Sequence, residues 1–369
     1  MALVRYALLV GSFFLLLVAA EIFTNGIEWF GHRIGVSEGA TGSVLAAFGT
    51  VLPETMIPII AIISGGEAGA EVGVGAILGA PFMLATVAMF LVGASVLLFS
   101  SRRTNKSNVS VRLQTVQRNV GLFLVGYAIA FLAALVPNQL VAHLMGVGLF
   151  LMYLGYLYKT LTSGELIEEE GIDDLHAGIA VDKVGDSMPG MNLSEMAGDP
   201  HFLLILVQTL IAFAIFVFGA NMFVEQITWV SKEVLHVPVA VVALLIAPLA
   251  TELPETFNSY IWIARDKDML AVGNITGAMA FQGTVPVTIG ILFTSWNLSL
   301  NWGTSGFLNG FSVVLALVSG AYLYLRSRRS TSESLPARPF LIGGAFYLLF
   351  ILVLLYYVAT FNLSVTGSV

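Results

Sequence analysis

The chain has 369 residues, of which 57% are hydrophobic and only 11% charged, with a mean hydropathy of +0.89. A soluble globular protein carries about 25% charged residues because its surface faces water, so this composition excludes a set of soluble domains and reads as an integral membrane protein. Cysteine is absent, which excludes disulfides, thiolate metal sites and thiol nucleophiles, and a formal net charge of −7 gives no basic footprint for nucleic acid.

Apolar runs long enough to cross a ~30 Å hydrocarbon layer as helices recur along the chain. Ten are expected, near 4–30, 39–63, 69–99, 118–136, 140–160, 201–230, 238–264, 269–297, 305–325 and 338–361. The fold class is therefore all-α. Within the first run, Leu17-Val18-Ala19-Ala20 looks like a signal-peptide cleavage context, but the run has an internal counterpart and reads as a retained span. The stretch 161–200 is polar and acidic, with Glu168-Glu169-Glu170 and Asp173-Asp174 against a single Lys183. It lacks the EF-hand pattern and reads as a solvated linker between a first half, 1–160, and a second half, 201–369. Of the 16 Lys and Arg, only Arg5 and Lys232 fall on one side of the membrane and the rest fall on the other. The positive-inside rule then places the linker in the cytoplasm and both termini outside, in a membrane expected to be the inner (plasma) membrane of a prokaryote.

The two halves repeat one another. Ala20-Glu21-Ile22-Phe23 reappears as Ala220-Asn221-Met222-Phe223, and Trp29 as Trp229. Gly49-Thr50-Val51-Leu52-Pro53-Glu54-Thr55 matches Ala250-Thr251-Glu252-Leu253-Pro254-Glu255-Thr256, and Gly75-Ala76-Ile77-Leu78-Gly79-Ala80 matches Gly273-Asn274-Ile275-Thr276-Gly277-Ala278. Five spans per half is an odd number, so the second copy is inserted upside down, the arrangement of secondary transporters whose sites lie near the midplane. The Leu-Pro-Glu-Thr strings also resemble a sortase signal, but neither is followed by Gly and neither lies near the C-terminus.

Five glutamates fall inside apolar spans: Glu21, Glu54, Glu225, Glu252 and Glu255. All Lys and Arg map to loops or helix ends, which leaves these acids to be protonated, hydrated or neutralised by a bound cation. Thr50 and Glu54 are one helical turn apart, as are Thr251 and Glu255. Pro53 and Pro254 cannot donate to the carbonyls of Gly49 and Ala250, and Pro58 and Pro248 free those of Glu54 and Leu244, so the second and seventh helices are expected to be broken. A carboxylate, a hydroxyl and loosened carbonyls at one level suit a hard cation such as calcium, which takes 6–8 oxygens at about 2.3–2.6 Å. The pairs Glu21 with Asn25 and Asn221 with Glu225 exchange acid and amide and are candidates for lining the pathway or gate. No nitrogen or sulfur metal site is indicated, no resident cofactor is implied, and no nucleophile–base constellation suggests an intramembrane enzyme.

These motifs resemble the calcium/cation antiporter superfamily, which contains the sodium/calcium and proton/calcium exchangers. Gly49-Thr50-Val51-Leu52-Pro53-Glu54 fits the family's G-T-x-x-P-E fully, and Ala250-Thr251-Glu252-Leu253-Pro254-Glu255 fits it apart from the leading Gly. The resemblance implies Glu54 and Glu255 as central calcium ligands with Thr50 and Thr251 beside them, spans one and six as the moving gate, and inorganic cations in a lipid bilayer as the partners. Glu252 adds an acid where the family more often has a small hydroxyl residue. Asn274 keeps the start of the family's G-N-x-x-G-S-N, but Ala80, Leu84, Ala278 and Met279 supply no side-chain oxygen for sodium, and Gln282 offers one neutral oxygen. A proton needs only an acid, and Glu252 and Glu255 crowd one helix turn where calcium would displace a held proton. The expected function is thus a secondary antiporter moving calcium, or a similar divalent, against protons or sodium. A passive cation channel would use the same acids. The sequence leaves the oligomeric state open.

Overall fold

A computed structural model describes residues 2–33, 54–63, 65–162, 174–186, 198–296, 298–304 and 306–361. Among these, eight helices are long and apolar enough to cross a membrane, and a bent pair makes a ninth. The remaining expected span, the second at 39–63, lies mostly outside the described residues, which there hold a short apolar helix α2, Glu54–Ile63. The chain divides into two compact units that are interleaved in sequence. One takes residues 1–60 and 159–226, the other 61–158 and 227–369.

The first unit is built on α1 (Ala2–Arg33) and α8 (Phe202–Trp229), with a short α7 (His176–Asp186) from the linker. Helices α1 and α8 run antiparallel: Arg5 meets Glu225, Phe23 meets Phe213, and Phe30 meets Phe202. Their close approach depends on Gly26, where a Cβ would lie within 2.4 Å of Thr209 Oγ1. The linker is expected to be a solvated stretch, and within it the structure places α7. Leu175 is buried with Trp29 and Ile205, so the apolar residues of the linker have a surface to cover. The first amides of α7 are also satisfied by side chains: Asn25 Oδ1 accepts from His176 N at 3.2 Å and Gln208 Oε1 from Ala177 N at 2.7 Å.

The second unit begins with α3 (Gly66–Met83), which continues through a π-helical turn, Leu84–Ala88, into α4 (Met89–Leu98). Pro81 inside α3 withholds one backbone donor, and Thr86 Oγ1 donates to Phe82 O at 2.5 Å within the widened turn. Then come α5 (Leu113–Leu135), α6 (Gln139–Thr162), α9 (Val239–Ala264), α10 (Asp268–Gln282), α11 (Val285–Phe293), α12 (Phe307–Arg329) and α13 (Ile342–Phe361), the last preceded by a 3-10 turn at Arg338–Leu341. The expected single helix over 269–297 is broken at Gly283-Thr284. Pro286 in the first turn of α11 cannot donate back to Gln282, so the ladder stops there.

Helix α3 packs directly on α9. A Cβ at Gly75 would stand 2.2 Å from the carbonyl oxygen of Ala240, and one at Gly79 2.2 Å from that of Leu244, the carbonyl released by Pro248. Two glycines one turn apart thus let the backbones touch. The all-α expectation needs a small amendment, since β1 (Asn108–Ser110) pairs antiparallel with β2 (Ser334–Pro336) and places Val109 opposite Leu335, both buried. Beside this pair, Arg103 is bound by Asp268 through two bonds of 2.8 and 2.6 Å and donates to Ile263 O at 2.7 Å, all with the Arg103 and Asp268 side chains 1% exposed. Asp268 also accepts from Ser110 N at 2.8 Å, so one acid ties the strand, the α4–α5 connection and the start of α10 together.

Candidate functional site

The seventh span supplies the centre. Its two arms, Val239–Leu253 and Glu255–Ala264, are bent by 48°, at the position where the sequence carries Pro254. Glu252 and Glu255 flank that bend on successive turns, and each offers a carboxylate oxygen within 4.8 Å of the other's. Glu252 is fully buried. Its Oε1 accepts from Thr251 Oγ1 at 3.1 Å and from Gln282 Nε2 at 3.4 Å, while Thr256 Oγ1 donates to its main-chain oxygen at 2.6 Å. Gln282, the last residue of α10 before the Gly283 break, is itself buried. Oε2 of Glu255 is buried and has no hydrogen-bond partner among the described residues. An anionic oxygen without a donor in an apolar surround is costly, and a proton or a cation relieves that cost.

Thr251, Glu252, Glu255 and Gln282 come together as above. Asn274 lies on α10 half-buried, and its amide makes no hydrogen bond among the described residues; nothing in the structure joins it to Glu252. Glu54 is buried at the head of α2, whereas Gly49 and Thr50, and the Ala250 side chain, lie outside the described residues. The proposed break of the second helix at Pro53 falls there too.

The flanking acid–amide pairs look different from a matched pathway lining. Glu225 is not without a basic partner: Arg5 Nη1 approaches its Oε1 at 3.4 Å, with both side chains exposed. Counting charges along the sequence missed this because Arg5 was assigned to a helix end, and antiparallel packing carries that end to Glu225. Glu21 is exposed and lies 3.9 Å from His176 Nε2. Asn25 is committed to structure, donating to Asp174 O at 3.3 Å and accepting from His176 N and from Gln208 Nε2 at 2.9 Å. Asn221 donates to Val217 O in its own helix at 2.9 Å.

Several polar groups within spans escaped the sequence reading. Tyr156 donates to Asn119 Oδ1 at 2.8 Å, and Asn119 Nδ2 donates to Thr276 Oγ1 at 3.2 Å, a chain that reaches α10 two turns before Gln282. Glu28 on α1 is a further half-buried acid. Isolated amides in apolar runs, here Asn119 and Gln208, were the available signal.

A profile described as sodium/calcium exchanger protein matches residues 4–162 and 204–361, one segment in each half of the chain. The chain belongs to this family. It is a cation/calcium exchanger, a secondary transporter rather than an enzyme, and an integral membrane protein. Its fold is similar to that of the H+/Ca2+ exchanger CAX, at a TM-score of 0.64 and 17% identity, covering 95% of this chain and 82% of that one. It is also similar to the sodium-calcium exchanger NCX_Mj, with a TM-score of 0.53 and 18% identity over 95% of this chain and 99% of that one. Comparison with curated proteins gives no match. In the exchanger described here an acid, Glu252, sits against the Gln282 amide.

Proposed function

We propose that this exchanger moves calcium, or a similar divalent cation, across the membrane against protons or sodium, with Glu54 and Glu255 as the principal ligands of the two repeats. The observation that carries this reading is the pairing of Glu252 and Glu255 at the α9 bend, where two carboxylates approach within 4.8 Å in a buried setting. Thr251 and Gln282 add oxygens, and the bend supports main-chain oxygens from Ala250 as further ligands. The repeated motif assigns Gly49, Thr50 and Glu54 the same roles in the first half, and Asn274 an auxiliary one on α10.

The coupling ion follows from what surrounds those acids. Ala80, Leu84, Ala278 and Met279 carry no oxygen, which favours a proton over sodium, because sodium needs several fixed oxygens and a proton needs only an acid. The name of one structural relative, a H+/Ca2+ exchanger, supports that choice and the name of the other supports sodium. The deciding experiment loads proteoliposomes with calcium at clamped voltage and imposes either a pH or a sodium gradient. Efflux driven by the pH gradient is the expected result. Efflux that follows sodium at constant pH establishes sodium coupling instead, and calcium flux that dissipates without any counter-gradient establishes a channel.

A further inference from the structure

At the arginine-rich ends of the second unit's helices lies a cleft of about 560 Å3, far from the acids of α9 in character and lined by Leu97, Ser107, Tyr322, Arg326, Arg338 and Pro339 among others. Its walls are the last turn of α4, the last turn of α12 and the 3-10 turn that leads into α13. Three span ends meet there, so the cleft opens at a membrane surface. On the charge count of the loops, that surface is the positive one.

Two features make this more than a scatter of basic residues. Arg326 and Arg338 come from different elements yet face one cleft, both exposed, and among the described residues no carboxylate pairs with either. Like charges converging on one space repel unless an anion joins them. The rim is also held rigid. Ala337 N donates to Ser107 O at 3.0 Å, the β1–β2 pair sets Asn108 opposite Pro336, and Pro339 fixes the backbone immediately after Arg338. Planar guanidinium forks match a phosphate better than a point-charge ammonium does. Leu97, 40% exposed on the last turn of α4, continues the cleft toward the lipid-facing surface of that span.

We propose that this cleft binds the phosphate headgroup of an anionic phospholipid, with Arg326 and Arg338 clasping the phosphate and the acyl chains lying along α4 past Leu97. A free phosphate would use the same guanidinium groups but leave the apolar side unoccupied, so the lipid is the source to which the geometry points.

The purified full-length exchanger in detergent is titrated with phosphatidylglycerol, phosphatidylcholine or inorganic phosphate, and bound lipid is read by native mass spectrometry alongside the melting temperature. Phosphatidylglycerol is expected to bind about tenfold tighter than phosphatidylcholine, and the double variant R326Q/R338Q to lose about that factor. The control R328Q/R329Q removes the same charge from the same helix end, outside the cleft lining, and is expected to keep the binding. Three results overturn the proposal: equal binding of the two lipids, inorganic phosphate stabilising as strongly as phosphatidylglycerol, or equal loss in the R328Q/R329Q control. The wild-type arms and that control decide the matter even if R326Q/R338Q does not fold.

Discussion

At the scale of single residues, acids in apolar surroundings do two different jobs in this exchanger. Glu255 keeps a buried oxygen without a hydrogen-bond partner among the described residues, whereas Asp268 spends both oxygens on Arg103. Glu255→Gln and Glu54→Gln preserve volume and remove a charge; each is expected to abolish calcium flux in proteoliposomes while the protein remains folded by size-exclusion chromatography. Near wild-type flux from either would remove that residue from the site. Asp268→Asn should behave in the opposite sense. It leaves the buried Arg103 guanidinium with the more exposed Asp266, 4.0 Å away, as its remaining counter-charge among the described residues, at a cost of about 3 kcal/mol, read as a lowered melting temperature in detergent. The acids at 252 and 255 were legible in the sequence because an acid inside an apolar run has few explanations. Glu225 was misjudged for the same reason in reverse, since its partner Arg5 is over 200 positions away and only helix packing joins them.

At the scale of elements, proline was a partial signal and glycine an underused one. The bend at 253–255 coincides with a proline in the sequence, as does the π-helical turn that follows Pro81. The break at Gly283-Thr284 was missed because the hydrophobic run continues without a gap through Val285 and Pro286. Helix α7 was missed because a stretch that is acidic overall conceals the few apolar residues that dock it, Leu175 above all. Gly75 and Gly79 were noticed as part of the repeat, while their role in bringing α3 onto α9 depends on which helix faces them. A methyl group at Gly79 would stand 2.2 Å from Leu244 O and 2.5 Å from Pro248 Cγ. Gly79→Ala is therefore expected to destabilise the exchanger by about 1–3 kcal/mol through overpacking. Gly155→Ala on α6, where a Cβ meets nothing within 4 Å among the described residues, serves as the neutral comparison. Equal melting temperatures for the two variants would show that α3 and α9 are not in contact.

At the scale of the whole molecule, the excess of Lys and Arg on one side of the membrane makes a directional claim. Both termini are expected on the outer side and the 161–200 linker on the inner side. Activity from a C-terminal reporter that works only in the cytoplasm would reverse this orientation, whereas the expectation of an inverted repeat rests on the odd number of spans in each half. The all-helical membrane character and the family were legible from composition and the paired motifs alone. The division into units was not, because each unit recruits segments from both halves of the chain, and sequence order carries no record of that exchange.

The glycine contact between α3 and α9 has a consequence for how such a molecule can be made. Helix α3 is encoded in the first half and α9 in the second, yet each supplies the surface that the other needs to bury. Neither half on its own can then complete its core, however similar the two halves once were. If residues 1–162 and 198–369 are produced as separate polypeptides, each alone should be degraded or aggregate. The two synthesised together should find one another in the membrane and restore calcium flux. The linker that joins the two halves spares the cell that search.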